Sequence, residues 1–280
     1  MDKARRRFLG VALGTGVLMG TAPAHAQLFD APRPDLWPRW QAYDPGSTAT
    51  IDHGAWQAIL TGFVRLGGDG ITRVDYAGLL ASRSGLDGYL DAMSTVPISQ
   101  FIRDEQFAYW VNLYNAVTVR VILDHWPVAS IRDIDISPGL FANGPWGAEL
   151  IMVEGISLTL DDIEHRILRP IWGDPRIHYA VNCAAIGCPN LQTQAFTAAN
   201  TDAVLEAAAA AFVNHPRGAR VGRDGLVVSS IYSWFDEDFG SSDAGVIAHL
   251  RQYAGPALSS ALSGVTDIDD HAYDWALNGL

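Results

Sequence analysis

The chain predicts an α+β fold, a single helix-rich domain with a small and mostly antiparallel sheet. Three observations lead there. Most stretches carry apolar residues at helical spacing, the strand-like stretches are few and short, and the 254 residues after position 26 show no interdomain linker or internal repeat.

The elements follow in order. Residues 27–50, with Pro32, Pro34, Trp37, Pro38 and Trp40, read as an extended N-terminal arm on the surface of a domain spanning residues 51–280. From Ile51 a helical stripe of Trp56, Ile59, Leu60, Phe63 and Val64 runs to Gly67-Gly68, and a second helix covers Tyr76 to Met93 with a break near Ser84-Gly85. Phe107 to Val119 contains no charged residue, so its helix is enclosed by protein, and Asn112 and Asn115 cannot rely on water. They either tie the helix to neighbouring backbone or orient a catalytic group.

A hairpin is expected from Leu150–Val153 and Ile156–Leu158 around Glu154-Gly155. Thr159 and Asp162 start a short helix that Pro170 ends. Its stripe of Leu160, Ile163, Ile167 and Leu168 includes Glu164, a carboxylate that needs a partner, and His165 lies at the stripe's edge between Asp161 and Arg169. Ile177, Tyr179, Val181 and Cys183 alternate with His178, Ala180 and Asn182 as a strand does, and the loop begins at Ala184. Helix is expected over Asn200–Phe212 and around Val246, Leu250 and Tyr253, a helical turn over Ile231–Phe239, and strand over Leu226–Val228 and residues 271–278.

Residues 1–26 read as a twin-arginine-type export signal: Arg5-Arg6-Arg7-Phe8-Leu9, an uncharged stretch from Gly10 to Ala22, and Ala24-His25-Ala26 before the expected cleavage. That implies a periplasmic protein without stable membrane insertion after cleavage. Removing this segment takes away four basic residues and one acid, which moves the formal charge from −12 to −15. So acidic a chain lacks the basic face that nucleic acid or anionic lipid requires.

Cys183 and Cys188 are the only cysteines. A nucleophilic thiol needs a base and a group that holds the base. Among the histidines, His53, His125, His215, His249 and His271 have no obvious neighbours, and His178 faces away from Cys183 on the expected strand. His165 on the preceding helix remains. No metal site is expected, since two cysteines at this spacing lack two further ligands, and no phosphate loop or Gly-x-Ser-x-Gly elbow points to another cofactor or nucleophile.

Five blocks resemble the domain-of-unknown-function-547 family: Phe107–Ala116, Leu160–Arg169, His178–Cys183 through Cys188-Pro189, Ser233–Phe239 and Tyr273–Asn278. The resemblance implies an Ile-Glu-His triplet at Ile163, Glu164 and His165 and a family cysteine at Cys183. Many relatives carry serine at the position of Cys188, so a disulfide is not the general reason for Cys183. Ala184 stands where relatives usually have glycine.

With the resemblance, a papain/transglutaminase-like form of the α+β fold becomes an option, and a periplasmic cysteine hydrolase or acyltransferase the expected activity. Cys183 would attack an amide or thioester of a small-molecule or peptide-like substrate, His165 would carry the proton, Glu164 or Asn112 would hold the imidazole, and backbone amides after Cys183 would receive the oxyanion. The rival is a non-catalytic periplasmic binding or scaffold module with a Cys183–Cys188 disulfide and a Glu164–His165 structural pair. A thiol redox protein is disfavoured by the lack of a Cys-x-x-Cys spacing.

Overall fold

A computed structural model describes residues 32–139 and 144–280, so the expected export signal and its cleavage point lie outside the described residues. Helix α4, Arg103–Asp124, buries every residue from Glu105 to Val119 and from Val121 to Leu123. The uncharged run thus forms a helix covered on all sides, with its charged residues near the ends. Helices α2 (Tyr76–Leu80), α3 (Ser84–Ser94) and α7 (Thr201–Val213) pack around it, together with a π-helix at Asp162–Leu168.

The polar residues of α4 join it to distant backbone. Glu105 accepts the Ile51 amide at 3.0 Å, and Gln106 donates to the carbonyls of Ile98 and Ala42 at 2.8 and 3.0 Å. Asn112 donates to the Phe196 carbonyl at 2.8 Å and accepts the Phe196 amide at 3.0 Å. Both ends of its carboxamide are therefore committed to a single backbone residue. The arm is held more deeply than a surface arm, with Trp40 only 3% exposed.

Helix α1, Gly54–Phe63, ends one residue before the expected stripe does. Val64 opens strand β1 (Val64–Leu66) instead and pairs with Val74 of β2 (Thr72–Val74), because a β-branched residue packs well across a ladder. The expected break between α2 and α3 falls at residues 81–83. Strands β3 (Ile151–Val153) and β4 (Ile156–Leu158) form the expected hairpin, and Glu154 and Gly155 both take positive φ, 48° and 78°. The Glu154 carboxylate offsets that strain by accepting from the amide and hydroxyl of Ser99 at 2.9 and 2.7 Å.

Pro170 does not end its helix. The π-helix continues into α5, Arg169–Trp172, which stops at Gly173 in the left-handed region. Pro170 cannot donate to Arg166, and the wide turn frees further carbonyls. The arm supplies donors: the amides of Asp35 and Trp37 bond to the carbonyls of His165 and Arg166 at 3.0 and 3.1 Å.

The strand expected before Cys183 is also corrected. Ile177–Ala180 is a short helix, α6, begun by Asp174 and Pro175; Val181 is extended, and residues 181–183 belong to no strand. All four α6 residues are buried, so an apparent alternation of faces carried no information about the backbone.

Beyond it, β5 (Ala219–Gly222) runs antiparallel to β6 (Gly225–Ser229), and β7 (Asp270–Ala272) runs parallel to β6. Helices α8 (Ile231–Trp234), α9 (Asp243–Tyr253) and α10 (Pro256–Ala261) pack nearby in a second apolar cluster with α7 and Tyr179. The last expected strand is shorter than residues 271–278. Its remainder makes only isolated bridges, Leu277 to Ala185 and Gly279 to Val74. No helix among the described residues is long and apolar enough to cross a membrane.

Asn112→Ala leaves the amide and carbonyl of Phe196 buried without partners. Urea unfolding should show a loss of about 2–4 kcal/mol.

Candidate active site

Cys183 lies in the loop after α6, and the loop is fixed by amides. Asn115 of α4 donates to the Ala180 carbonyl at 2.9 Å and accepts the Asn182 amide at 2.8 Å. The Asn182 side chain in turn donates to the Pro189 carbonyl at 2.7 Å and accepts the Ala184 amide at 2.9 Å. One carboxamide thus ties the residue after Cys183 to the residue after Cys188. Asn278, buried and bonded to the Tyr76 hydroxyl at 2.7 Å, reaches the same Asn182 oxygen at 3.3 Å.

Ala184 has φ 59°, the region that favours glycine, so the alanine at this position is strained. Gly187 is required for a different reason. A Cβ there would lie 2.7 Å from the Asp274 amide nitrogen, and through this close approach the segment 273–277 packs against the thiol loop. The amides of Gly187 and Ile186 donate to the carbonyls of Asp274 and Ala276, both at 2.8 Å.

This packing brings the Tyr273 hydroxyl 3.0 Å from Cys183 Sγ, while Cys188 Sγ is 2.7 Å from the same sulfur. Both thiols are free; Cys183 is partly exposed and Cys188 is buried. The Cys183 amide also donates to Cys188 Sγ at 3.0 Å. Donation to Cys188, burial and the charge of Cys188 all push the Cys183 thiol up. Burial would push Cys188 up as well, but the Cys183 thiol, Tyr273, the Cys183 amide and the Arg217 guanidinium outweigh it and hold it below the ordinary range. Once one proton is lost, the two sulfurs share the one that remains.

The expected base is elsewhere. His165 Nδ1 meets Arg169 Nη1 at 3.1 Å, and Nε2 faces the Asp161 carboxylate at 3.7 Å. A guanidinium only donates, so Nδ1 is the acceptor and Nε2 carries the proton. Burial, with Arg169 beside it, lowers His165 to about 4 and keeps it neutral. Its one lone pair is occupied, and none of its described hydrogen bonds reaches Cys183. Asn112, committed to Phe196, does not reach His165 either.

Glu164 pairs with His178 rather than with His165. His178 Nδ1 stands 3.6 Å from Glu164, its Nε2 stands 2.6 Å from Asp238, and its ring stacks on Phe235 at 4.2 Å. Burial alone would lower His178, but the two carboxylates outweigh it and raise it. Burial would likewise raise Glu164, yet His165, His178 and Arg169 together hold it at about 2. Arg169, its side chain 1% exposed, bonds to Asp238 and Glu237 at 2.6 and 3.1 Å. Burial first, then Glu164 and the two thiols, push the buried Tyr114 hydroxyl up.

The amides expected to receive an oxyanion are largely committed. Those of Ala184, Ile186, Gly187 and Cys188 donate to Asn182, Ala276, Asp274 and Ala185. Tyr273 and Asp238 were not singled out as site residues by the sequence. Both lie inside blocks of the family resemblance, which was their one signal. Among the described residues no group of three or more His, Cys, Asp or Glu side chains could hold a metal ion.

Two outcomes follow. Ala184→Gly relieves the positive φ and should raise unfolding stability by about 0.5–1 kcal/mol in urea titrations. The Glu164 carboxyl is lowered from 4.5 to about 2, so its contribution is complete above the unfolded value and lost as pH falls toward 2. His178 is raised, so its contribution is complete below its unfolded value of 6.5 and lost as pH rises through the folded one. Urea titrations across pH should show a flatter acid limb for Glu164→Gln and a flatter alkaline limb for His178→Gln than for the unaltered chain.

No curated protein and no solved structure matches the chain. The model of a family described as "Protein of unknown function, DUF547" matches residues 98–213, a span that includes α4, Glu164, His165, His178 and both cysteines. Over residues 98–213 the chain is thus similar to the DUF547 family.

Proposed function

We propose that the chain is a cysteine-dependent acyltransferase or thioesterase, with Cys183 as nucleophile and a thioester of a small molecule or peptide as acyl donor. One observation carries this reading: the sulfur of Cys183, a partly exposed residue, is bonded to Cys188 at 2.7 Å and to the Tyr273 hydroxyl at 3.0 Å, with no imidazole among its described hydrogen-bond partners. An amide nitrogen must be protonated as it leaves, which calls for an acid such as imidazolium. A thiolate leaves without one. The wider class of amide or thioester hydrolase therefore narrows to thioesters, and His165 gives up the role of base.

In the reaction, the Cys183 proton passes to Cys188 while the Cys183 sulfur attacks the thioester carbonyl. The Tyr273 hydroxyl donates to the oxygen as charge develops there. Collapse forms an acyl-Cys183 and expels a thiolate, which takes the proton from Cys188. Water or a second acceptor then receives the acyl group. An exported, periplasmic setting belongs to the same proposal, with residues 1–26 as its signal, and the acidic charge supports a substrate other than nucleic acid.

The sulfur contact also favours a second reading, a non-catalytic binding or scaffold module with the two cysteines joined. Intact mass measurement after exposure to a set of acyl thioesters separates the two. The first expects an acyl adduct on Cys183, none in Cys183→Ala, and acylation about 100-fold slower in Tyr273→Phe. Equal reaction of matched anilides would overturn the preference for thioesters. The absence of any adduct, with both sulfurs unreactive toward a thiol reagent, favours the second.

A further inference from the structure

We infer that Cys183 and Cys188 form a dithiol couple that exchanges with small disulfides, Cys183 receiving the incoming half and Cys188 expelling it. The inference uses the same sulfurs as the acyl-transfer proposal but needs no acyl donor. Its basis is placement. The two free sulfurs are 2.7 Å apart, and a disulfide bond is about 2.05 Å long, so closure requires a movement well under an ångström. The Asn182 carboxamide clamps the loop at Ala184 and Pro189 without that bond. A disulfide stabilises chiefly by restricting a loop that is otherwise free, and this loop is short and already restrained. Closure thus adds little to stability, which leaves the bond exchangeable rather than structural.

The two thiols differ in what can reach them. Cys183 is partly exposed, whereas Cys188 is 5% exposed and lies beneath it. A small disulfide in solution meets Cys183 first. Cys188 accepts the Cys183 amide at 3.0 Å, and the Arg217 guanidinium, held by the Ile186 carbonyl at 2.7 Å, favours its thiolate. It is therefore the sulfur prepared to attack a mixed disulfide next to it.

The steps balance. Cys183-SH and R-S-S-R give Cys183-S-S-R and R-SH, the thiol proton leaving by way of Cys188 to the departing R-S⁻. Cys188-SH then attacks Cys183, giving the Cys183–Cys188 disulfide and a second R-SH. The two protein sulfurs lose one electron each, and the small disulfide gains both. A small dithiol reverses the sequence.

Glutathione disulfide added to the reduced full chain, with acid quenching, peptide mapping and intact mass, tests this. The unaltered chain should lose two hydrogens and release both glutathione halves, and dithiothreitol should restore it. Cys188→Ser should stop at a glutathionyl adduct on Cys183 that lasts at least about 100-fold longer than in the unaltered chain, a conservative part of the gain from a neighbour in contact. Cys183→Ser should acquire no adduct over the same interval. The inference is overturned if the adduct on the unaltered chain outlasts formation of the internal disulfide, if the first adduct maps to Cys188, or if the internal disulfide resists dithiothreitol. The unaltered chain decides these points alone, should a variant fail to fold.

Discussion

A carboxamide with no access to water must bond to protein, and on α4 that requirement organises the site. Asn115 is 3% exposed, and its two polar atoms are satisfied by the backbone on either side of Val181. This fixes where the chain leaves α6 and where Asn182 must stand. Asn182 repeats the arrangement one step further out, and Asn278 and Tyr76 close it from two other parts of the chain. The sulfurs are placed by a relay of buried amides anchored on one helix. Because each amide has few alternatives in an apolar surround, the loop keeps one geometry despite lacking regular secondary structure.

The second organising group is ionic. Glu164, His178, Asp238, Arg169 and His165 form a nearly dry cluster in which each cation faces an anion or a lone pair. Such a cluster is costly to break, since a lost partner leaves a buried charge. It also drives the two imidazoles apart, His165 held neutral and His178 shifted toward its charged form. The thiol loop is consequently left with sulfur and phenol groups and no imidazole among its described hydrogen bonds, which is the ground for proposing a thioester as substrate.

Much of this was legible in the sequence, where a single local rule governed the outcome. The uncharged run of α4, the Glu154-Gly155 hairpin and the break before Ser84 each follow from composition or turn chemistry. The expected buried state of Glu164 also followed from its place in a stripe, though its partner did not. The misreadings share a cause. Residues 177–180 are buried on every side, so alternation could not distinguish helix from strand, and Pro170 is tolerated because the arm supplies donors from about 130 positions away. The choice of His165 over His178 rested on that unformed strand. Tyr273 is the clearest omission: ninety positions separate it from Cys183, and no periodicity or spacing spans such an interval.

That same interval has a temporal meaning. Ribosomes add about 5–20 residues per second, so Cys183 emerges from synthesis roughly 5–20 s before Tyr273 exists. During that time the thiol loop lacks its phenol, and Gly187 lacks the backbone that it is shaped to receive. A newborn chain thus carries two neighbouring sulfurs with neither the Tyr273 hydroxyl nor the packed segment 273–277 of the finished protein. The sulfur–phenol arrangement is completed late, as a property of the whole fold rather than of the cysteine loop.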